Sequence, residues 1–287
     1  MGNSKKELRD LWRRSFGDTE AYMDYYFSQK APASDIYTGN EGGMLASMAF
    51  FTPYSVKLFG ANKTAYYIVG VATEEKYRGE HRMTRLLQEA MAQYGNGIFF
   101  LCPMTPRVYT SLGFRPVYWR ETTHIRPDYV PQGRYGSVKK WNELSLQECQ
   151  KMIVFVNGKL QKEEFDFYIE RSIEYYQQIS LELQALEGNF YSIWDEKGGV
   201  LAAANVIFED GGFQVTELIA DEGAGEIVID TLLNYLCVKS LQIDDSYFLH
   251  GLHGIGIVRE KQDKPYIMCR MLSGDTPEIR CYINDIT

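Results

Sequence analysis

The sequence predicts an α/β chain in which helices are layered on mixed, mostly antiparallel sheets, arranged as two tandem units. Three observations carry this. Apolar strand-like runs alternate with stretches of helical periodicity along the chain. The order of elements in the first half returns in outline in the second. The length of 287 residues suffices for two ordinary domains. With 45% hydrophobic and 24% charged residues, the composition is that of a globular chain and not of a disordered one.

Lys5–Phe16 places Leu8, Leu11, Trp12 and Phe16 at helical spacing, and Gly17-Asp18-Thr19 ends this first helix. Asp18 or Thr19 caps a second helix carrying Tyr22, Met23, Tyr25, Tyr26 and Phe27. Asp35–Thr38 and Met44–Phe51 flank the turn at 39–43 and form a hairpin. Ser55–Leu58 and Tyr66–Ala72 extend the sheet. The latter feeds a basic loop, Lys76-Tyr77-Arg78-Gly79-Glu80-His81-Arg82, which opens a helix over Met83–Tyr94. A strand at Ile98–Cys102 follows, then Tyr109-Thr110-Ser111-Leu112-Gly113-Phe114 and a strand over Pro116–Ile125.

Residues 126–140, with Pro127, Pro131, Gly133 and Gly136, read as a connection between domains. The second half opens with helices over Leu146–Phe155 and Lys162–Leu183. Strands at Asn189–Trp194, Val200–Phe208 and Phe213–Ile219 come next, then a helix at Ile227–Val238. Gly256–Val258 and Pro265–Met271 are the last strand candidates, and the residues after the helix are expected to complete the second sheet. The turn-rich segment Gly251–Gly256 lacks a following helical pattern, so turn and strand is its reading.

Strand, basic loop and helix start together suit a pyrophosphate, because free amides and the positive end of the helix dipole face the anion. The corresponding second-half loop, Asp221-Glu222-Gly223-Ala224-Gly225-Glu226, carries three carboxylates and would repel one. At a separation near 4 Å each charge pair is worth about 4 kcal/mol at a protein surface, so only the first half is expected to bind the anion. Tyr109 is a candidate proton donor, or else a core aromatic packed on Phe114. His81 is a candidate phosphate contact or a surface residue; His124 reads as structural. Cys102 reads as a buried small hydrophobe and Asp244-Asp245 as a solvated turn, or else as lining for a cationic substrate.

A net charge of −8 disfavours nucleic acid and suits a cationic amine. The five cysteines are widely spaced and include no C-x-x-C pair, which argues against a disulfide framework or a zinc site. The polar first residues and the lack of a long apolar run make a cytoplasmic protein without membrane contact the expectation. A homo-oligomer is compatible with this sequence. The 21 tyrosines imply either a semi-polar cavity or tyrosine-rich packing.

Val69-Gly70-Val71-Ala72-Thr73, Tyr77-Arg78-Gly79, Met83-Thr84-Arg85-Leu86-Leu87 and Tyr109-x-x-x-Gly113-Phe114 together resemble the GNAT superfamily of acyl-CoA-dependent N-acyltransferases. The tandem order resembles its enhanced-intracellular-survival branch without that branch's third domain. The resemblance implies two GNAT-like domains, 1–128 binding acyl-CoA and 129–287 degenerate with a C-terminal tail. It implies acetyl-CoA as cosubstrate, no metal, and as acceptor the primary amine of a small, cationic molecule. Backbone at Val69 and Val71 would hold the pantetheine arm, and amides of Arg78, Gly79, Glu80, His81, Arg82 and Met83 the pyrophosphate. Tyr109 would protonate the leaving sulfur, and the terminal carboxylate of Thr287 would be the base. One departure stands out. The family pattern asks for Arg or Gln, Gly, then Gly or Ala, where this chain has Lys76, Gly79 and His81. That histidine keeps open the alternative of a non-catalytic module that binds acyl-CoA or another ligand.

Overall fold

The computed structural model describes residues 3–209, 211–274 and 277–283. Helix α1 (Lys5–Phe16) starts at a reciprocal cap: Ser4 Oγ accepts from Glu7 N, and the Glu7 carboxylate accepts from Ser4 N at 2.7 Å. Thr19 caps α2 (Glu20–Tyr25), which continues as a π-helical turn to Lys30. Strands β1 (Asp35–Glu41) and β2 (Met44–Leu58) form the expected hairpin, with its turn reduced to Gly42-Gly43. β3 (Ala61–Thr73), α3 (Arg82–Met91), β4 (Ile98–Leu101) and α4 (Pro106–Thr110) follow.

The strand expected over Pro116–Ile125 is two strands, β5 (Arg115–Tyr118) and β6 (Glu121–Ile125), which enter different sheets. The connection at 126–140 ends in an edge strand, β7 (Ser137–Lys140). α5 (Leu146–Lys162) is longer than its periodicity suggested, and the helix expected over Lys162–Leu183 does not form as one piece. Glu164 turns left-handed at φ 56°, the short strand β8 (Phe167–Ile169) intervenes, and α6 (Ile173–Ala185) restarts under a Ser172 cap. The reason lies in the three consecutive residues Phe167, Tyr168 and Ile169, all buried: a strand covered on both faces uses them all. β9 (Asn189–Trp194), β10 (Val200–Glu209), β11 (Gly212–Ala220), α7 (Gly225–Tyr235) and β12 (Leu241–Ile243) come next. The chain ends on β13 (Ile257–Lys261), β14 (Ile267–Met271) and β15 (Cys281–Tyr282).

The first sheet runs β15-β8-β2-β3-β4-β14-β5, with β1 also on β2; the second runs β13-β6-β12-β11-β10-β9-β7. Strands are therefore exchanged. β6 crosses into the second sheet, while β8, β14 and β15 return to the first. Of the strands after α7, only β12 and β13 complete the second sheet, which corrects the expectation for the chain's end. Pro53 explains why β2 is continuous where two strands were expected. β1 pairs with Met44–Phe51 and β8 with Val56–Leu58, so the proline falls in the gap between them.

Alternation along β2 and β3 sorts three layers. Met48, Phe50 and Ala72 pack under α1 and α2; Ala49, Phe51 and Ile68 pack under α3. Val56, Ala65, Tyr67 and Phe100 meet Ala203 and Ile219 of the second sheet in a shared core. Among the described residues two ion pairs with nearly no exposure stand out. Lys30–Glu182 (2.8 Å) ties the end of the second helix to α6, and Arg171–Glu217 (2.7 Å) lies in the layer between the sheets.

Candidate active site

β3 and β4 run parallel but pair only at Tyr66–Phe99 and Tyr67–Phe100; beyond these the strands part. On the other side of β3 the register slips, so that Gly70 and Val71 both face Ala49, a β-bulge at the level of the split. Gly70 has φ 61°, and a Cβ there would lie 2.2 Å from Cζ3 of Trp12. The gap opens into a cleft of about 450 Å³. Val69, Val71, Met83 and Tyr109 line it, four of the residues singled out from the sequence. The layers given above place α3 and Tyr109 on one face of the sheet, and Trp12, Tyr22 and Tyr67 on the other. The cleft thus passes through the sheet between the diverging strands.

At the α3 end, Met83 stands in the first helical turn, and the preceding loop carries Arg78, Gly79, Glu80 and His81, all exposed. Ser or Thr hydroxyls cap α1, α2, α5 and α6, but no side chain caps α3. Its first amides are left open to an anion. Gly79 takes φ 83° and His81 φ 58°, the left-handed region that histidine enters more readily than most residues. Arg78 Nε donates to the Thr73 carbonyl at 3.2 Å. Arg82 donates to Glu41 and Glu80, both at 2.8 Å, so its charge is already shared.

Tyr109 is half-buried and meets Phe114 edge-on, ring centres 6.0 Å apart, so it packs on Phe114 and lines the cleft at once. Burial, helped by the proximity of Cys102, raises its pKa to about 12, which keeps the phenol protonated. Cys102 is not the buried hydrophobe expected. It lies past the end of β4, half-buried, on the cleft wall.

The opposite wall was missed in the sequence. Trp12, Phe16, Asp18 and Tyr22 line it, with Leu186 from the end of α6. The spacing of Trp12 and Phe16 was visible but reads equally as helix core. Asp18 Oδ2 accepts from Trp12 Nε1 at 2.7 Å, which fixes the indole against Gly70.

The second-half loop is built differently. Lys159 pairs with Asp221 and Lys162 with Glu222 (2.8 Å), so two of its three carboxylates are tied down. β11 and β12 also pair briefly, at Gln214–Gln242 and Val215–Ile243, and beyond them the turn Tyr247–Leu249 packs against β11. Asp244-Asp245 is no solvated turn. Asp245 is fully buried and accepts from Tyr118 Oη at 2.8 Å; burial raises its pKa to about 6 against the opposing pull of Arg120 and Tyr118. His124 lies in β6, and Gly251–Gly256 leads into β13 as turn and strand. Thr287 lies outside the described residues. Tyr282 and Ile283, which precede it, are fully buried in the layer between the sheets. Among the described residues no cluster of His, Cys, Asp and Glu fits a metal, and no helix is long and apolar enough to cross a membrane.

Residues 3–117 match the family model of the acetyltransferase (GNAT) domain. A search of curated protein sequences gives no match. Among solved structures, a probable N-acyltransferase from Enterococcus faecalis V583 superposes with a TM-score of 0.71 at 17% identity, over 93% of this chain and 70% of that one. A GCN5-related N-acetyltransferase from Kribbella flavida gives 0.67 at 16%, over 95% and 70%. Eis1 from Mycobacterium abscessus gives 0.60 at 12%, over 94% and 72%. At these identities the likeness speaks for the fold. Residues 3–117 thus match the GNAT acetyltransferase domain in sequence, and the chain as a whole shares the fold of these structures.

Proposed function

We propose that the protein is an N-acetyltransferase that moves an acetyl group from acetyl-CoA to the primary amine of a small, cationic molecule. One observation carries this reading: a cleft passing between diverging parallel strands, with an uncapped helix start at one mouth. In this assignment residues 1–128 hold the cofactor, and 129–287 form a degenerate partner domain with a C-terminal tail. The pyrophosphate rests on the amides of Arg78–Met83. The pantetheine arm extends β3 along the edge that β4 leaves free, beside Val69 and Val71. The bulge leaves one amide outside the ladder, available to polarise the thioester carbonyl.

The amine attacks the carbonyl carbon, the C–S bond breaks, and the thiolate takes the Tyr109 proton. A phenol at about 12 is a weak acid toward a thiolate whose ordinary pKa is near 8.5. The same desolvation that raises Tyr109 also raises the thiol, so the two anions compete on closer terms than in water. The terminal carboxylate of Thr287 takes the proton from the amine.

Tyr109→Phe should lower turnover by about 10²–10⁴-fold, the range for a lost acid–base group, with coenzyme A affinity unchanged by calorimetry. A polar extension after Thr287 should lower turnover comparably; a normal rate in the extended protein would remove the carboxylate from the mechanism. Tight coenzyme A binding without turnover of any amine would leave the non-catalytic binding module as the function. No binding at millimolar coenzyme A would end both readings.

A further inference from the structure

From the wall of the cleft opposite α3 we infer that the acceptor is a monoamine with an aromatic or bulky apolar body, its single cationic end held by Asp18. The inference rests on the acetyl-transfer reading and adds the substrate class. The donor enters from the α3 face, so the acceptor must come from the face of α1 and α2. There the cleft presents Trp12, Phe16, Tyr22, Tyr67 and Leu186. Trp12 and Phe16 stand with ring centres 4.9 Å apart, a continuous aromatic surface.

Among the described residues Asp18 is the one carboxylate on the lining. Trp12 Nε1 occupies its Oδ2, and Oδ1 has no hydrogen-bond partner among the described residues. An ammonium placed there gains a charge-assisted hydrogen bond and neighbouring π-faces. Among the described residues of this wall, a second ammonium further along the same molecule would meet aromatic and aliphatic side chains. Burying an unpaired charge costs several kcal/mol, so polyamines are selected against. The net charge of −8 therefore overstates how cationic the substrate is, because the acidic residues lie elsewhere.

The test measures release of coenzyme A from acetyl-CoA with phenethylamine and with spermidine, products being identified by mass. Phenethylamine should be preferred in kcat/KM by 10-fold or more. Asp18→Asn should raise KM for phenethylamine about 10–100-fold, as expected for a lost hydrogen bond to a charged group, and Asp18→Glu should restore part of it. In calorimetry on the coenzyme A complex, Asp18→Asn should weaken phenethylamine but not its uncharged analogue 2-phenylethanol. Equal weakening of both would mean that Asp18 only props Trp12, and would overturn the assignment. Turnover of spermidine above phenethylamine would overturn the substrate class while leaving acetyl transfer intact. Failure of both amines together with failure of coenzyme A to bind would instead sink the reading beneath it.

Discussion

An added methyl at Gly70 would overlap the Trp12 ring and press on Phe50 Cδ2 at 2.9 Å, in a backbone conformation at φ 61°. Gly70→Ala should therefore cost about 2–4 kcal/mol, the sum of left-handed strain and overpacking, measured by urea unfolding. An unchanged midpoint would mean that the bulge relaxes freely and does not shape the cleft. At this scale the sequence was legible on one side only. Val69, Val71, Met83 and Tyr109 stood in a recognisable strand–loop–helix order and do line one cleft. Trp12, Asp18 and Leu186 come from elements distant in sequence, and helical spacing alone does not distinguish a site wall from a core. Cys102 and Asp245 were misjudged for the same reason, since their burial depends on which strands end beside them.

Among elements, α3 and α7 are the pair to compare, since each follows a long strand and a glycine-containing loop. Neither has a side-chain cap, but α3 follows Arg78 and begins on Arg82, whereas α7 follows Asp221 and Glu222 in ion pairs. Arg78→Glu reverses a charge beside the open amides and should weaken coenzyme A binding at least 10-fold, an effect that shrinks as salt rises. Asp221→Lys should leave that affinity where it was. Equal losses in the two variants would show that the phosphate site is not at α3. Long periodic elements such as α1, β10 and β11 could be read from the sequence because their faces are regular. β8, β12 and β15, with two or three residues each, carry too little pattern, and each pairs with a strand more than a hundred residues away.

For the whole molecule, Asp245 links the sheets, since its Tyr118 partner belongs to β5 and Asp245 itself follows β12. Its folded pKa of about 6 lies above the ordinary 3.8, so the folded state holds this proton more tightly than the unfolded one. The resulting stabilisation is complete below pH 3.8 and is lost as pH rises through about 6, a change of up to roughly 3 kcal/mol. Asp245→Asn removes that slope. Its stability relative to wild type should therefore rise between pH 4.5 and 6.5 in urea titrations; a constant difference would place the proton elsewhere. The strand exchange has a consequence for synthesis on the ribosome. Among the described residues β5 pairs only with β14, so the first sheet stays open until residues 267–271 have emerged. At 5–20 residues per second the nascent chain waits about 7–30 s with that edge exposed. The first sheet, though it holds the earliest strands to be translated, is among the last parts of the protein to close.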